Sequence, residues 1–210
     1  MNIEDIDAHF MRLALKEARK GQWKTSPNPC VGALVIKNGE IIGKGYHKKA
    51  GTPHAEIHAL NDAGEHAAGS TVYVTLEPCN HAGRTPPCSH ALVKSRVKRV
   101  VVGMGDPNPL VDGSGNSYLR AHGVDVTEGV LEEQCRAINL PFIKYITTRT
   151  PWVMMKAGVS LDGRISYQKG IGGRLTGPES SRYVHRLRHR MDAILVGIGT
   201  VEADNPSLTS

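Results

Sequence analysis

The stretch 54-HAEIHALNDAGEHAAGSTVYVTLEPCNHAGRTPPC-88 decides how the rest of the chain is read. It sets a helix-spaced segment, His54 to Asp62, against the β-rich run 70-STVYVTLEP-78, and closes on a Pro-rich loop between two cysteines. A helix leading into an apolar strand is the signature of an α/β layer. Four residues in the stretch carry chemistry. His54, Cys79 and Cys88 offer one imidazole and two thiols, three of the four ligands that tetrahedral zinc takes; a catalytic site leaves the fourth position to water. Glu56, two residues beyond His54, has the reach to take a proton and pass it on.

Working outward, 30-CVGALVIKNGEIIGKGYH-47 reads as two strands around Asn38-Gly39, the strongest short-range hairpin signal. Ile6 to Lys20 has helical spacing, with Ile6, Phe10, Leu13 and Ala14 on one stripe and Gly21 as a stop. Beyond Cys88 a helix is expected from about Ser89 to Val97, then the strand 99-RVVVGM-104. A short helix at 116-NSYLRAHG-123, a strand at 124-VDVTEG-129 and a helix at 131-LEEQCRAIN-139 follow. This order predicts a mixed sheet covered by helices.

The segment 139-NLPFIKYITTRTP-151 reads as a connector, and the pattern restarts after it. A strand is expected at 152-WVMMKAGVS-160, a helix at 178-PESSRYVHRLRHRM-191 and a strand at 193-AILVGIG-199. The predicted division is therefore 1–150 and 151–210. The second part holds too few strands to close a sheet, so the chain is expected to be a piece of a longer protein.

Composition is that of an ordinary globular protein, 40% hydrophobic and 22% charged. No apolar run approaches the length of a membrane span and the start MNIEDIDAHF is not a signal peptide, so the default location is cytoplasmic with no membrane partner. In such a chain the four cysteines read as ligands or core thiols rather than disulfides. Cys30, beside an apolar strand, and Cys135, inside a helix, read as buried thiols. The net charge of +6 favours an anionic partner without naming it.

The trio with Glu56 follows the zinc-deaminase pattern of His-x-Glu, then Pro-Cys and a second cysteine, with the glutamate as acid–base. Eight residues separate the cysteines here instead of two, a change that costs little closure entropy. A structural zinc would want a fourth protein ligand, for which His81 or His58 could serve, and would leave Glu56 without a role.

The loop 80-NHAGRTPPC-88, together with 26-SPNPCVGALVI-36, 45-GYHKKAGTPHAE-56 and 74-VTLEPC-79, resembles the bifunctional riboflavin-biosynthesis deaminase–reductase family. The resemblance implies a cytidine-deaminase-like α/β domain followed by the incomplete start of a dihydrofolate-reductase-like α/β domain. It implies zinc-dependent hydrolytic deamination of 2,5-diamino-6-(5-phosphoribosylamino)pyrimidin-4-one. In the full-length parent, NADPH-dependent reduction of the ribosyl group follows. On this resemblance His54, Cys79 and Cys88 hold zinc and Glu56 moves the proton, while Asn28, His47, His81 and Arg84 line the substrate pocket. The family also suggests a homo-oligomer, dimer or tetramer.

In the second half, 155-MKAGVSLDGRIS-166 and 187-LRHRMDAILVGIGTVEADNPSLT-209 resemble the opening of the family's reductase. The resemblance places Gly158, Thr200 and Asp204 at NADPH, and Arg188 and Leu208 at the phosphoribosyl substrate. The stretch 168-QKGIGGRLTG-177 departs from the family, with Gly172 and Arg174 where a serine and a tryptophan are usual, and neither receives a role. This 210-residue chain is not expected to reduce its substrate by itself. The competing expectations are a nucleoside or tRNA deaminase with the same zinc site, and a non-enzymatic zinc-stabilised module. The cysteine spacing and the reductase-like segment favour the small metabolite over nucleic acid.

Overall fold

The sheet grows from a tight hairpin. Asn38 and Gly39 both take positive φ, 52° and 82°, and join β1 (Gly32–Lys37) to β2 (Glu40–Tyr46) through the two-residue turn expected for Asn-Gly. The computed structural model describes residues 2–81, 86–108, 113–168 and 173–209. Three further strands, β3 (Thr71–Leu76), β4 (Arg99–Met104) and β5 (Asp125–Thr127), complete a mixed sheet in the order β2-β1-β3-β4-β5. The β2-β1-β3 pairs are antiparallel and the β3-β4-β5 pairs parallel. Val72, Val74, Val100, Val101 and Val102 are fully buried, as expected of central strands covered on both faces.

Helices α1 (Ile3–Ala18), α2 (Ala55–Ala63), α3 (Cys88–Lys94), α4 (Ser114–Ala121), α5 (Glu132–Ala137) and α6 (Leu140–Thr148) belong to the same unit, Met1–Trp152. A 3-10 turn, Gly64–Ala67, follows α2. The second unit, Val153–Ser210, contains α7 (Pro178–Arg188) and α8 (Ile198–Asp204). Among the described residues no helix is long and apolar enough to cross a membrane.

Helix α2 reaches the sheet by way of glycines. A Cβ on Gly43 or Gly45 of β2 would stand 2.3 or 2.4 Å from a carbonyl oxygen of α2, on Ala59 and Ala55 respectively. Only a residue without a side chain permits that approach.

Several elements differ from the sequence-based expectation. Of the expected stripe on α1, Ala14 is buried and Phe10 and Leu13 pack against the core, whereas Ile6 is exposed and Asp7, Met11, Leu15 and Ala18 are buried beside them. Asp7 is held inward: Tyr73 Oη donates to it at 2.8 Å, and the two terminal guanidinium nitrogens of Arg99 donate to it at 3.0 and 2.6 Å. The expected connector forms α6, with Pro141 in its first turn, where the missing N–H is no loss. The strands expected at 152–160 and 193–199 form no ladder among the described residues, and Ile198 begins α8 instead. Val153, Met155 and Leu195 are largely exposed. A strand-like sequence without a neighbour leaves its amides to water.

Candidate metal centre and active site

Two helix N-termini and one strand end converge on the site. His54 caps α2 in extended conformation (φ −73°, ψ 168°), Glu56 lies in the first turn of that helix, and Cys88 is the first residue of α3. Cys79 follows β3, beyond the carboxyl end of a strand in the parallel half of the sheet, where open α/β sheets place their sites. His54 Nδ1 lies 3.5 Å from Cys79 Sγ and 3.3 Å from Cys88 Sγ, and the three ligand atoms fall within 4.8 Å of one another. Ordinary Zn–N and Zn–S bond lengths in a tetrahedron put such N···S edges at about 3.6 Å. The donor set and its spacing fit a zinc ion. Among the described residues no fourth His, Cys, Asp or Glu offers an atom within the group. His81, on the loop after Cys79, is exposed, and His58, one turn along α2 from His54, has a buried Nε2 without a hydrogen-bond partner.

The long cysteine loop is closed at its base. Cys88 N donates to Cys79 Sγ at 3.4 Å, Ser89 N to Cys79 O at 3.2 Å, and Ser89 Oγ to Asn80 Oδ1 at 2.7 Å. The eight residues between the cysteines therefore leave the two sulfurs together.

The charges of the metal-free site are unequal. A hydrogen bond from the Cys88 thiol, followed by contacts with His54 and the Cys88 amide, holds the half-buried Cys79 well below the ordinary thiol range, against the effect of burial. The same shared proton, together with burial, pushes buried Cys88 up. The hydrogen bond with Cys79 raises His54 despite desolvation. Glu56 is only 3% exposed; burial first, and then the nearby Cys79, push its carboxyl up to about 7, with His54 opposing. A carboxyl poised near neutrality suits acid–base work.

His47 and Asn28 stand beside this cluster, with the His47 ring edge-on to His54 at 5.3 Å between centroids. His47 Nδ1 is 3.2 Å from the carbonyl oxygen of Pro53, which can only accept, so Nδ1 carries the hydrogen. Burial lowers the His47 pKa and favours the neutral ring. Its Nε2 then accepts from Asn28 Nδ2 at 3.1 Å, which leaves Asn28 Oδ1 as the free acceptor of that amide.

Two carboxylates escaped the sequence reading. Glu77, buried at the end of β3, accepts four main-chain N–H groups, from Asp106, Gly113, Gly115 and Asn116, at 2.9 to 3.3 Å. Asp106 follows β4; burial raises its carboxyl, with Glu77 adding to the rise and His81 opposing it. A charged residue at the inward end of an otherwise buried strand was the available signal for Glu77. The Asp-Pro-Asn-Pro sequence after a parallel strand was the signal for Asp106.

Arg84 and Gly172 lie outside the described residues. Within the second unit, Arg188 Nη1 donates to Thr209 O at 3.2 Å, next to Leu208, whose φ is +51°. Thr200 and Asp204 are four residues apart on α8 and share a face. Gly158 lies against Thr176, whose Cγ2 would be 3.5 Å from an added Cβ. Arg174 is exposed.

Residues 4–104 match the family described as cytidine and deoxycytidylate deaminase zinc-binding region, and residues 151–210 match the RibD C-terminal domain. The riboflavin biosynthesis protein RibD of Aquifex aeolicus is 50% identical over 207 residues, covering 99% of this chain and 58% of its own length. The chain belongs to the RibD family. Among solved members, the RibD of Acinetobacter baumannii (form 1) aligns with a TM-score of 0.90 at 45% identity, over 98% of this chain and 58% of that one. The Thermotoga maritima structure, a diaminohydroxyphosphoribosylaminopyrimidine deaminase/5-amino-6-(5-phosphoribosylamino)uracil reductase, also aligns at 0.90. Its identity is 43%, over 98% of this chain and 59% of its own. This chain thus spans somewhat over half the length of the RibD proteins it matches. His54, Glu56, Cys79 and Cys88 all fall inside the zinc-binding region of the family.

Proposed function

We propose that residues 1–150 form a zinc-dependent deaminase that acts on 2,5-diamino-6-(5-phosphoribosylamino)pyrimidin-4-one, exchanging an exocyclic amine for oxygen and releasing ammonia. The observation that carries this reading is the His54–Cys79–Cys88 cluster with zinc-compatible edges beside the buried Glu56. Zinc, when bound, lowers the pKa of a coordinated water toward neutrality. The remaining work falls to the chain. Glu56 takes one proton from water on its carboxylate and passes it to the ring nitrogen, then takes the second from the hydroxyl newly bound to the ring carbon and passes it to the amine, which leaves as ammonia as the C=O forms. Asn28, its amide oriented by His47, offers Oδ1 to an N–H donor on the pyrimidine edge. His81 and Arg84 complete the substrate pocket, with Arg84 suited to the phosphate.

Residues 151–210 correspond to the start of a reductase in this reading, with Gly158, Thr200 and Asp204 toward NADPH and Arg188 and Leu208 toward the phosphoribosyl group. NADPH-dependent reduction belongs to the full-length parent, which acts as a cytoplasmic homo-oligomer. An ammonia-release assay on the phosphoribosylated diaminopyrimidinone tests the deaminase. Turnover should disappear on chelation and return with zinc, and Glu56→Gln should retain zinc and lose turnover by at least about 100-fold. Ammonia release that persists after complete zinc removal refutes the proposal.

A further inference from the structure

Glu77 sits two residues before Cys79, and its carboxylate points into the protein, where 4% of the residue is exposed. Its Oε2 accepts from Asp106 N (3.2 Å) and Gly113 N (3.1 Å), and its Oε1 from Gly115 N (2.9 Å) and Asn116 N (3.3 Å). Its own amide donates to Met104 O at 2.9 Å, carrying the β3–β4 pairing one residue past the strand. The groups it gathers lie just after β4 and at the start of α4. The same helix start presses on the next peptide, since a Cβ on Gly115 would meet Pro78 O at 1.9 Å. The dipeptide leading into Cys79 is thus held by the four hydrogen bonds that Glu77 accepts and by the close contact of Gly115 with Pro78 O. A carboxylate that collects main-chain donors forms charge-assisted bonds, stronger than neutral ones and directional at both oxygens.

We propose that Glu77 is the positioning residue for Cys79: by gathering the amides that follow β4 and begin α4, it fixes the peptide that carries the metal-ligating thiolate. The inference rests on the proposed role of Cys79 as a zinc ligand. Glu77 is not one of the residues grouped at the metal position; it acts through the backbone of its own loop. Supporting groups of this kind typically change metal affinity by about 10- to 100-fold when altered.

The test compares zinc affinity, by chelator competition, in the wild-type chain, Glu77→Gln and Asp7→Asn. The first substitution turns an amide N–H₂ toward N–H donors and loses the charge. Asp7→Asn weakens the ion pair with Arg99, away from the site, and controls for a general loss of stability. Glu77→Gln should bind zinc about tenfold more weakly and, loaded with cobalt, show a changed thiolate-to-metal charge-transfer band. Asp7→Asn should match wild type in both. If Glu77→Gln does not fold, Glu77→Asp, whose carboxylate is one methylene short, takes its place with the same expected direction. A folded Glu77 variant that binds zinc like Asp7→Asn, with an unchanged cobalt spectrum, overturns the proposal. A wild-type chain that binds no zinc would instead overturn the reading of the metal centre.

Discussion

At the scale of single residues, the site separates reactive from inert groups by burial and by partners. Cys30 and Cys135 are buried thiols that desolvation pushes up to about 12, whereas the half-buried Cys79 is held below the ordinary thiol range by the Cys88 thiol, His54 and the Cys88 amide. Because the thiolate is the nucleophile, zinc-free protein exposed to iodoacetamide near neutral pH should be modified first at Cys79, with Cys30 and Cys135 untouched until unfolding. Zinc should protect Cys79; peptide mass mapping reads all three, and early labelling of Cys30 would contradict the assignment. Glu56 makes a different prediction. Its carboxyl rises from 4.5 to about 7 on folding, so between those values the folded state binds the proton more tightly and stability falls as pH rises. Glu56→Gln removes that loss. The zinc-free variant should gain on the order of 2–3 kcal/mol over wild type on going from about pH 4 to about pH 8. Urea unfolding at both pH values measures it, and an identical difference at the two would refute the shift.

At the scale of elements, the anchoring of α1 shows a polar group taking a buried place beside an apolar stripe. Asp7 joins α1 to β3 through Tyr73 and to β4 through Arg99, whose Nη2 also donates to Thr127 of β5 at 2.8 Å. Removing the carboxylate leaves the half-buried Arg99 with only Thr127 as partner among the described residues and the buried Tyr73 phenol without its acceptor. Asp7→Ala should therefore cost about 2–4 kcal/mol of unfolding free energy, read as a lower urea midpoint at constant slope. A loss below about 0.5 kcal/mol would mean that the network adds little beyond a surface ion pair. The hairpin behaves oppositely, because its turn chemistry is local: Asn38 and Gly39 supply the positive φ values and the strands follow. Helix α6 lay between these cases, since 139-NLPFIKYITTRTP-151 has few helical signals beyond a proline fit for a first turn.

At the scale of the whole molecule, the first unit builds one site from distant parts of its sequence, and its legibility varied with how local each interaction is. The sequence by itself determined the hairpin and the central strands, and it singled out the His54, Cys79 and Cys88 that the fold gathers, with Glu56 beside them, because period, turn residues and ligand chemistry are written in residue types a few positions apart. Only the tertiary structure decided what depends on contacts across the sheet. Asp7 is buried where it meets Arg99, 92 residues away. Glu77 found its amides 29 to 39 residues on. His47 met Asn28 and thereby settled which end of that amide is free. The strand-like runs of the second unit show the converse limit, for β-propensity states a preference, while a ladder requires a partner strand. A carboxylate's neighbours, unlike its identity, are a property of the folded chain, because hydrogen bonds to main-chain amides carry no side-chain signature.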